Sequence, residues 1–114
     1  MQIADLINAV RQFRDDRDWR KFHGPKDLSA AIAIEAAELQ EIFLWKNTDE
    51  IDQVLTSKST EIADEAADVL IYLLAFADAA GINLAQAVVT KLEKNAAKYP
   101  VDKAHGSAAK YTDL

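Results

Sequence analysis

Asp64-Glu65-Ala66-Ala67-Asp68-Val69-Leu70-Ile71-Tyr72-Leu73-Leu74-Ala75-Phe76-Ala77 decides the fold of this chain. With Glu61 one turn earlier, Glu61, Glu65, Asp68 and Tyr72 stand at i, i+4, i+7 and i+11, the spacing of one helical face, while Asp64 turns away. Val69, Leu70, Ile71, Leu73, Leu74, Phe76 and Ala77 then make the same helix apolar around much of its circumference. Such a helix has to be covered on more than one side. A chain with four helices struggles to supply that cover alone, so a homo-oligomer is expected. The alternative is a monomer whose N-terminal helix covers the second side.

A related stretch, Ile34-Glu35-Ala36-Ala37-Glu38-Leu39, stands about 30 residues earlier. Each residue of a helix advances about 100° around the axis, so Glu35 lies about 20° to one side of Leu28 and Leu39 about 20° to the other. Glu35 therefore belongs to the buried stripe, Glu38 to its edge near the direction of Trp45, and Glu41 points further out. Either acid pair alone reads as a solvated face neutralised by neighbouring Lys or Arg. Two pairs of equal spacing, each beside an apolar face, imply that something positive sits between them, because a desolvated carboxylate with a like-charged neighbour resists ionisation. Antiparallel packing of the two helices brings four carboxylates to one place.

The remaining elements follow from the same periodicities. Ile3, Leu6, Ile7, Val10 and Phe13 predict a first helix over residues 2–17. Gly24-Pro25 breaks the chain, and Asp27 is the expected N-cap of a second helix running from Leu28 to about Lys46. Residues 49–55 add a short helical turn. A third long helix opens between Ser57 and Thr60 and stops at Gly81, a residue suited to a left-handed C-terminal position. Asn83 caps a fourth that ends before Pro100, and the rest forms a loose tail. The expected fold class is all-α, a four-helix-type bundle in a single domain, 1–114, with its core at about residues 2–100.

Composition narrows the function. The 114 residues are 50% hydrophobic, with 3 Gly and 2 Pro, and carry a formal net charge of −6. Without a basic block, attraction to a nucleic-acid polymer or an anionic membrane is not expected. There is no cysteine, which excludes disulfides and thiolate metal sites. The apolar run from Val69 to Ala77 is far shorter than the about 20 residues of a membrane span, and the N-terminal residues lack the pattern of a signal peptide, so a cytoplasmic protein is expected.

Carboxylates without thiolate or imidazole partners favour a hard divalent ion, Mg²⁺ with Mn²⁺ as possible substitute. A di-iron bundle needs Glu-x-x-His on two helices, and His23 and His105 lie outside the expected helices. Mg²⁺ keeps positions open for water and phosphate oxygens, which points to a phosphate ester or anhydride as substrate. On the fourth helix, Lys91, Asn95 and Tyr99 recur at i+4 on the face of Leu84 and Val88, offering a cation and an amide to phosphate oxygens. The same residues also read as a lysine stem laid along apolar surface and a helix-end asparagine. Trp19, Phe22, His23 and Trp45 supply aromatic surface that could stack on a base or plug the core.

Taken in order, Asp18-Trp19-Arg20-Lys21-Phe22-His23-Gly24-Pro25-Lys26-Asp27-Leu28, the Glu35 to Glu38 stretch through Trp45-Lys46, the Glu65 to Asp68 stretch, and Lys91-Leu92-Glu93-Lys94-Asn95-Ala96-Ala97-Lys98-Tyr99-Pro100 resemble the all-α MazG-like nucleotide pyrophosphohydrolases, most closely the dCTP pyrophosphatase branch. The resemblance spans roughly residues 18–101. It implies Mg²⁺ held by Glu35, Glu38, Glu65 and Asp68. It places His23, Trp45 and Tyr72 around base and sugar, and Lys91, Asn95 and Tyr99 toward the phosphates and the far wall. It further implies a dimer or a tetramer built from dimers. Many members open the first motif with two adjacent acids, where this chain has Ile34; because Ile34 points off the Glu35 stripe, the ion site is expected to survive. The expected reaction converts a nucleoside triphosphate, dCTP or a modified form first, into monophosphate and pyrophosphate. Glu38 is the candidate general base, and Lys91 offsets transition-state charge. The rivals are the same chemistry on dATP or dUTP, and a non-enzymatic helical interaction module.

Overall fold

The computed structural model describes all 114 residues as helices and connecting turns, with no strand. Helix α1 is Ile3–Asp16, α2 is Pro25–Glu41, α3 is Ile51–Ser57 and α4 is Ser59–Ala80. Helix α5 is Leu84–Lys98 and α6 is Val101–Ala104, with 3-10 turns at Arg20–Phe22, Thr48–Glu50 and Tyr111–Asp113. The chain forms two compact units, Met1–Ile82 and Asn83–Leu114. No single helix is long and apolar enough to cross a membrane.

Two boundaries differ from the sequence expectation. Helix α2 begins at Pro25, with Gly24 rather than Asp27 as N-cap. Proline fits the first helical position because the N–H it lacks would have no partner there. Asp27 sits in the first turn instead, where a negative charge is favoured by the helix dipole. At the other end α2 stops at Glu41 rather than near Lys46. There Phe43 and Leu44 donate to the Gln40 and Glu41 carbonyls at 3.0 and 3.2 Å, a tightening to i→i+3 bonds that leads out of the helix. The exit runs through Trp45, whose φ of +64° is unusual for a bulky residue.

The end of α4 and the start of α5 are realised as expected, whereas the segment expected to be a loose tail holds short helical turns. Gly81, at φ +69°, closes α4, and the Asn83 side chain accepts from the Gln86 amide at 3.1 Å to cap α5. The segment after Pro100 holds the short α6 and the last 3-10 turn, where Tyr111 meets Tyr99 edge-on at 5.9 Å. Both are too short to produce a readable period.

In the first unit α4 is central: α2 lies along it most extensively, then α1, then α3. The core between them is Leu28 of α2, Val54 of α3, and Leu74, Ala75 and Ala77 of α4. Helix α1 is fastened by charge as well. Asp78 accepts from Arg11 at 2.5 Å and from Arg14 at 3.1 Å, and Arg14 is the one buried charged residue of the chain. Packing α1 on α4 supplies cover on one side, yet Leu70 and Ile71 remain 39% and 42% exposed.

The Asp78 carboxyl is held below its ordinary pKa, first by the Arg11 hydrogen bond and then by the Arg11 charge and the Arg14 contact, against some desolvation. A carboxyl depressed on folding contributes stability above its unfolded pKa and loses it as pH falls through the folded value, so this contribution starts to fade near pH about 3.9 and is gone only in stronger acid. Asp78→Asn is expected to cost about 2–3 kcal/mol near neutral pH, measured by urea unfolding, and the deficit should close in strong acid.

Candidate metal and substrate site

Helices α2 and α4 run antiparallel along their contact: Glu35 and Glu38 meet Glu65, while Glu41 and Ile42 face Lys58 and Glu61. As a result, carboxylate oxygens of Glu35, Glu38 and Glu65 all lie within 4.8 Å of one another. The stripe arithmetic explains the arrangement. Glu35 and Glu65 are half-buried on their helices' packed faces, and Glu38 sits exposed at the edge.

Electrostatically the cluster is unfinished. Burial, a hydrogen bond shared with Glu38, and the charges of Glu38, Asp68 and Glu65 push the Glu35 carboxyl up to about 7. Burial and the same acidic neighbours push Glu65 upward as well. One oxygen of each, Glu35 Oε2 and Glu65 Oε2, is buried without any hydrogen-bond partner. Buried acceptors left unpaired are costly, and a cation bound between them would satisfy both. The donor set is carboxylate only, which fits Mg²⁺ or Mn²⁺ and not a soft ion. Asp68 stands outside the tight group, although its charge acts on both Glu35 and Glu65.

Two concavities flank the carboxylates. On the side of α1, Leu6, Val10, Phe13 and Trp19 face Asp68 and Tyr72 across an apolar groove of about 640 Å³. Phe13 and Trp19 meet edge-on at 5.8 Å, and Trp19 lies 6.1 Å from His23. The His23 Nδ1 is buried and unpartnered. On the other side, Glu38, Glu41, Ile42, Lys58, Glu61 and Glu65 line a polar concavity of about 390 Å³. Glu41, expected to point further out, faces this concavity because α2 ends there and its last turn lies over the start of α4.

The structure thus gathers Glu35, Glu38 and Glu65, with Asp68 and Tyr72 at the adjoining groove and His23 beside Trp19. Trp45 is 90% exposed and lines neither concavity. Lys91 and Asn95 lie on α5 and Tyr99 at its C-terminal end, in the second unit, where Lys91 is exposed and Asn95 half-buried. Ile34 is 59% exposed and takes no part in the cluster. Phe13 and Lys58 were not singled out by the sequence. Phe13 carried only a core signal, and Lys58 sits between two helices, where periodicity says nothing.

A family model described as MazG-like matches residues 30–114. The chain is 40% identical to the dCTP pyrophosphatase 1 of Mus musculus and 37% identical to that of Homo sapiens, covering 98% of itself and 67% of each relative. Among solved structures it resembles a pyrophosphatase from Archaeoglobus fulgidus, with TM-score 0.81 and 50% identity over 85% of this chain and 91% of that one. The all-helical fold carries a carboxylate cluster that could hold a metal ion, and with these similarities it defines a pyrophosphohydrolase. The chain belongs to the MazG-like family, as an enzyme of the nucleotide pyrophosphohydrolase class.

Proposed function

We propose that this enzyme converts dCTP, or a form of it modified on the base, into the monophosphate and pyrophosphate, with Mg²⁺ held by Glu35, Glu38, Glu65 and Asp68. The observation that carries the reading is the convergence of three carboxylates within 4.8 Å, two of them with buried, unpartnered oxygens. The similarity to dCTP pyrophosphatases supports cytosine as the base. When bound, the ion supplies positive charge to the triphosphate and eases ionisation of water. The protein's own groups do the rest. Glu38, the exposed member, is within reach of solvent and takes the proton of the attacking water. Tyr72, with Trp19 and His23 nearby, gives the base a flat, largely apolar recess. Lys91, Asn95 and Tyr99 bind phosphate oxygens and the far wall. The working state is a homo-oligomer, a dimer or a tetramer built from two dimers, supported by the apolar side chains left exposed on α4. The setting is the cytoplasm, where the enzyme removes unwanted deoxynucleotides.

The test is a panel of the four dNTPs, dUTP and base-modified dCTP, assayed for pyrophosphate release with and without Mg²⁺. Release from dCTP or its modified form should exceed that from the others by about tenfold or more, the discrimination that about 1–3 kcal/mol of fit in an apolar recess supplies, and should stop on chelation. Equal release from every base would overturn the cytosine assignment, and no release at all would overturn the reaction.

A further inference from the structure

Helix α4 carries, in order from its C-terminal half to its start, three kinds of surface on the first unit. Tyr72 and Leu74 belong to the apolar groove, Asp68 stands at its border, Glu65 is in the carboxylate cluster, and Glu61 and Lys58 line the polar concavity. From Glu65 to Lys58 the helix rises about 10 Å. Apolar recess, carboxylates and cation therefore follow one another along a single rod.

A nucleoside triphosphate has the same linear order: a flat base, a reacting α-phosphorus, and a terminal pyrophosphoryl group with the highest negative charge. We propose that the substrate lies along α4 in that polarity, and that Lys58 binds the β- and γ-phosphates and holds the departing pyrophosphate. The inference rests on the proposed reaction and assigns a phosphate-binding residue at the N-cap of α4, beyond the carboxylates as seen from the base recess at mid-helix. Lys58 is the one basic residue among the six that line the concavity, and none of the chain's ion pairs involves it. Its ammonium is thus uncommitted although Glu38, Glu41, Glu61 and Glu65 share the same concavity. Those acids repel a free polyphosphate, so Lys58 acts on the anion only when a divalent ion accompanies it. An ammonium also suits this place as a compact charge on a flexible stem, able to follow the pyrophosphate as it separates.

The test is calorimetric binding of inorganic pyrophosphate and of dCMP to the full chain in excess Mg²⁺, comparing the parent with Lys58→Ala and Lys58→Arg. Loss of one charge-assisted contact should weaken pyrophosphate binding about tenfold in Lys58→Ala, with Lys58→Arg recovering most of it. Affinity for dCMP, which lacks the terminal groups, should be unchanged in both variants. Unaltered pyrophosphate affinity in Lys58→Ala, an equal loss for dCMP, or failure of the parent to bind pyrophosphate would each overturn the inference. Because the readout is binding, it stands apart from turnover: a parent that binds pyrophosphate but releases none from any dNTP sinks the proposed reaction and not the role of Lys58. Lys58 is exposed, and circular dichroism of each variant checks that the helices are intact.

Discussion

Combining Glu38→Gln with Asp68→Asn should lower turnover by about a thousandfold or more while leaving the helical circular dichroism of the parent chain intact. The two substitutions keep volume and remove charge. Glu38 is exposed, and Asp68 stands at the border of the groove, so neither carboxylate holds up the core. On the proposed function they remove two anchors for a divalent ion and, at Glu38, the acceptor for the proton of water. Activity within a few-fold of the parent would refute the carboxylate site, because no other cluster of three acids or histidines in the chain converges as tightly. A purely structural acidic face would likewise show no Mg²⁺-dependent rise in melting temperature, whereas an ion at 100 times its Kd should add about 2.7 kcal/mol.

Glu35→Gln should move stability and ion binding in opposite directions. Burial, a hydrogen bond shared with Glu38, and the neighbouring acids hold the Glu35 carboxyl at about 7. A carboxyl raised on folding keeps its proton longer in the folded chain than in the unfolded one. The ion-free protein therefore loses stability as pH rises from the unfolded value near 4.3 through about 7, and carries the full penalty above that. Glutamine has no such titration. The ion-free variant should melt at a higher temperature than the parent at pH 8 and at nearly the same temperature at pH 4, with the Mg²⁺-induced rise in melting temperature lost. A variant less stable than the parent at pH 8 without metal would show that Glu35 is held by favourable contacts rather than crowded by like charge. For the parent, protons and the ion compete for the same oxygens, so Mg²⁺ affinity should climb as pH passes from 6 to 8.

Much of this was legible in the sequence. Glu35 and Glu65 announced themselves because a charged residue inside an apolar stripe breaks a strong periodic pattern, and the equal spacing to Glu38 and Asp68 repeated the break. Gly81 and Asn83 marked their helix ends through local backbone chemistry that neighbours cannot override. The start of α2 was misplaced because Gly24-Pro25 reads equally as a breaker and as an N-cap followed by the first helical residue. Its end was misplaced because Ile42 and Phe43 continue the apolar period while the backbone has already tightened into i→i+3 bonds. The membership of Glu41 and Lys58 in one concavity depends on how α2 overlaps the start of α4, which is a tertiary fact. Trp45 illustrates the same limit, since its left-handed backbone turns the indole to solvent where helical arithmetic had set it near Glu38.

The bracket formed by Arg11, Arg14 and Asp78 pins one end of α1, whereas the length of that helix reaching toward Leu6 meets α4 through apolar contacts without directional demands. The ion pairs therefore fix α1 at the end that carries Phe13, next to the aromatic wall of the groove, and leave the Leu6 end to apolar packing alone. Acid, which weakens the pairs, should loosen the aromatic end of α1 first, and salt should act there too, while the Leu6 end answers only to agents that weaken apolar burial.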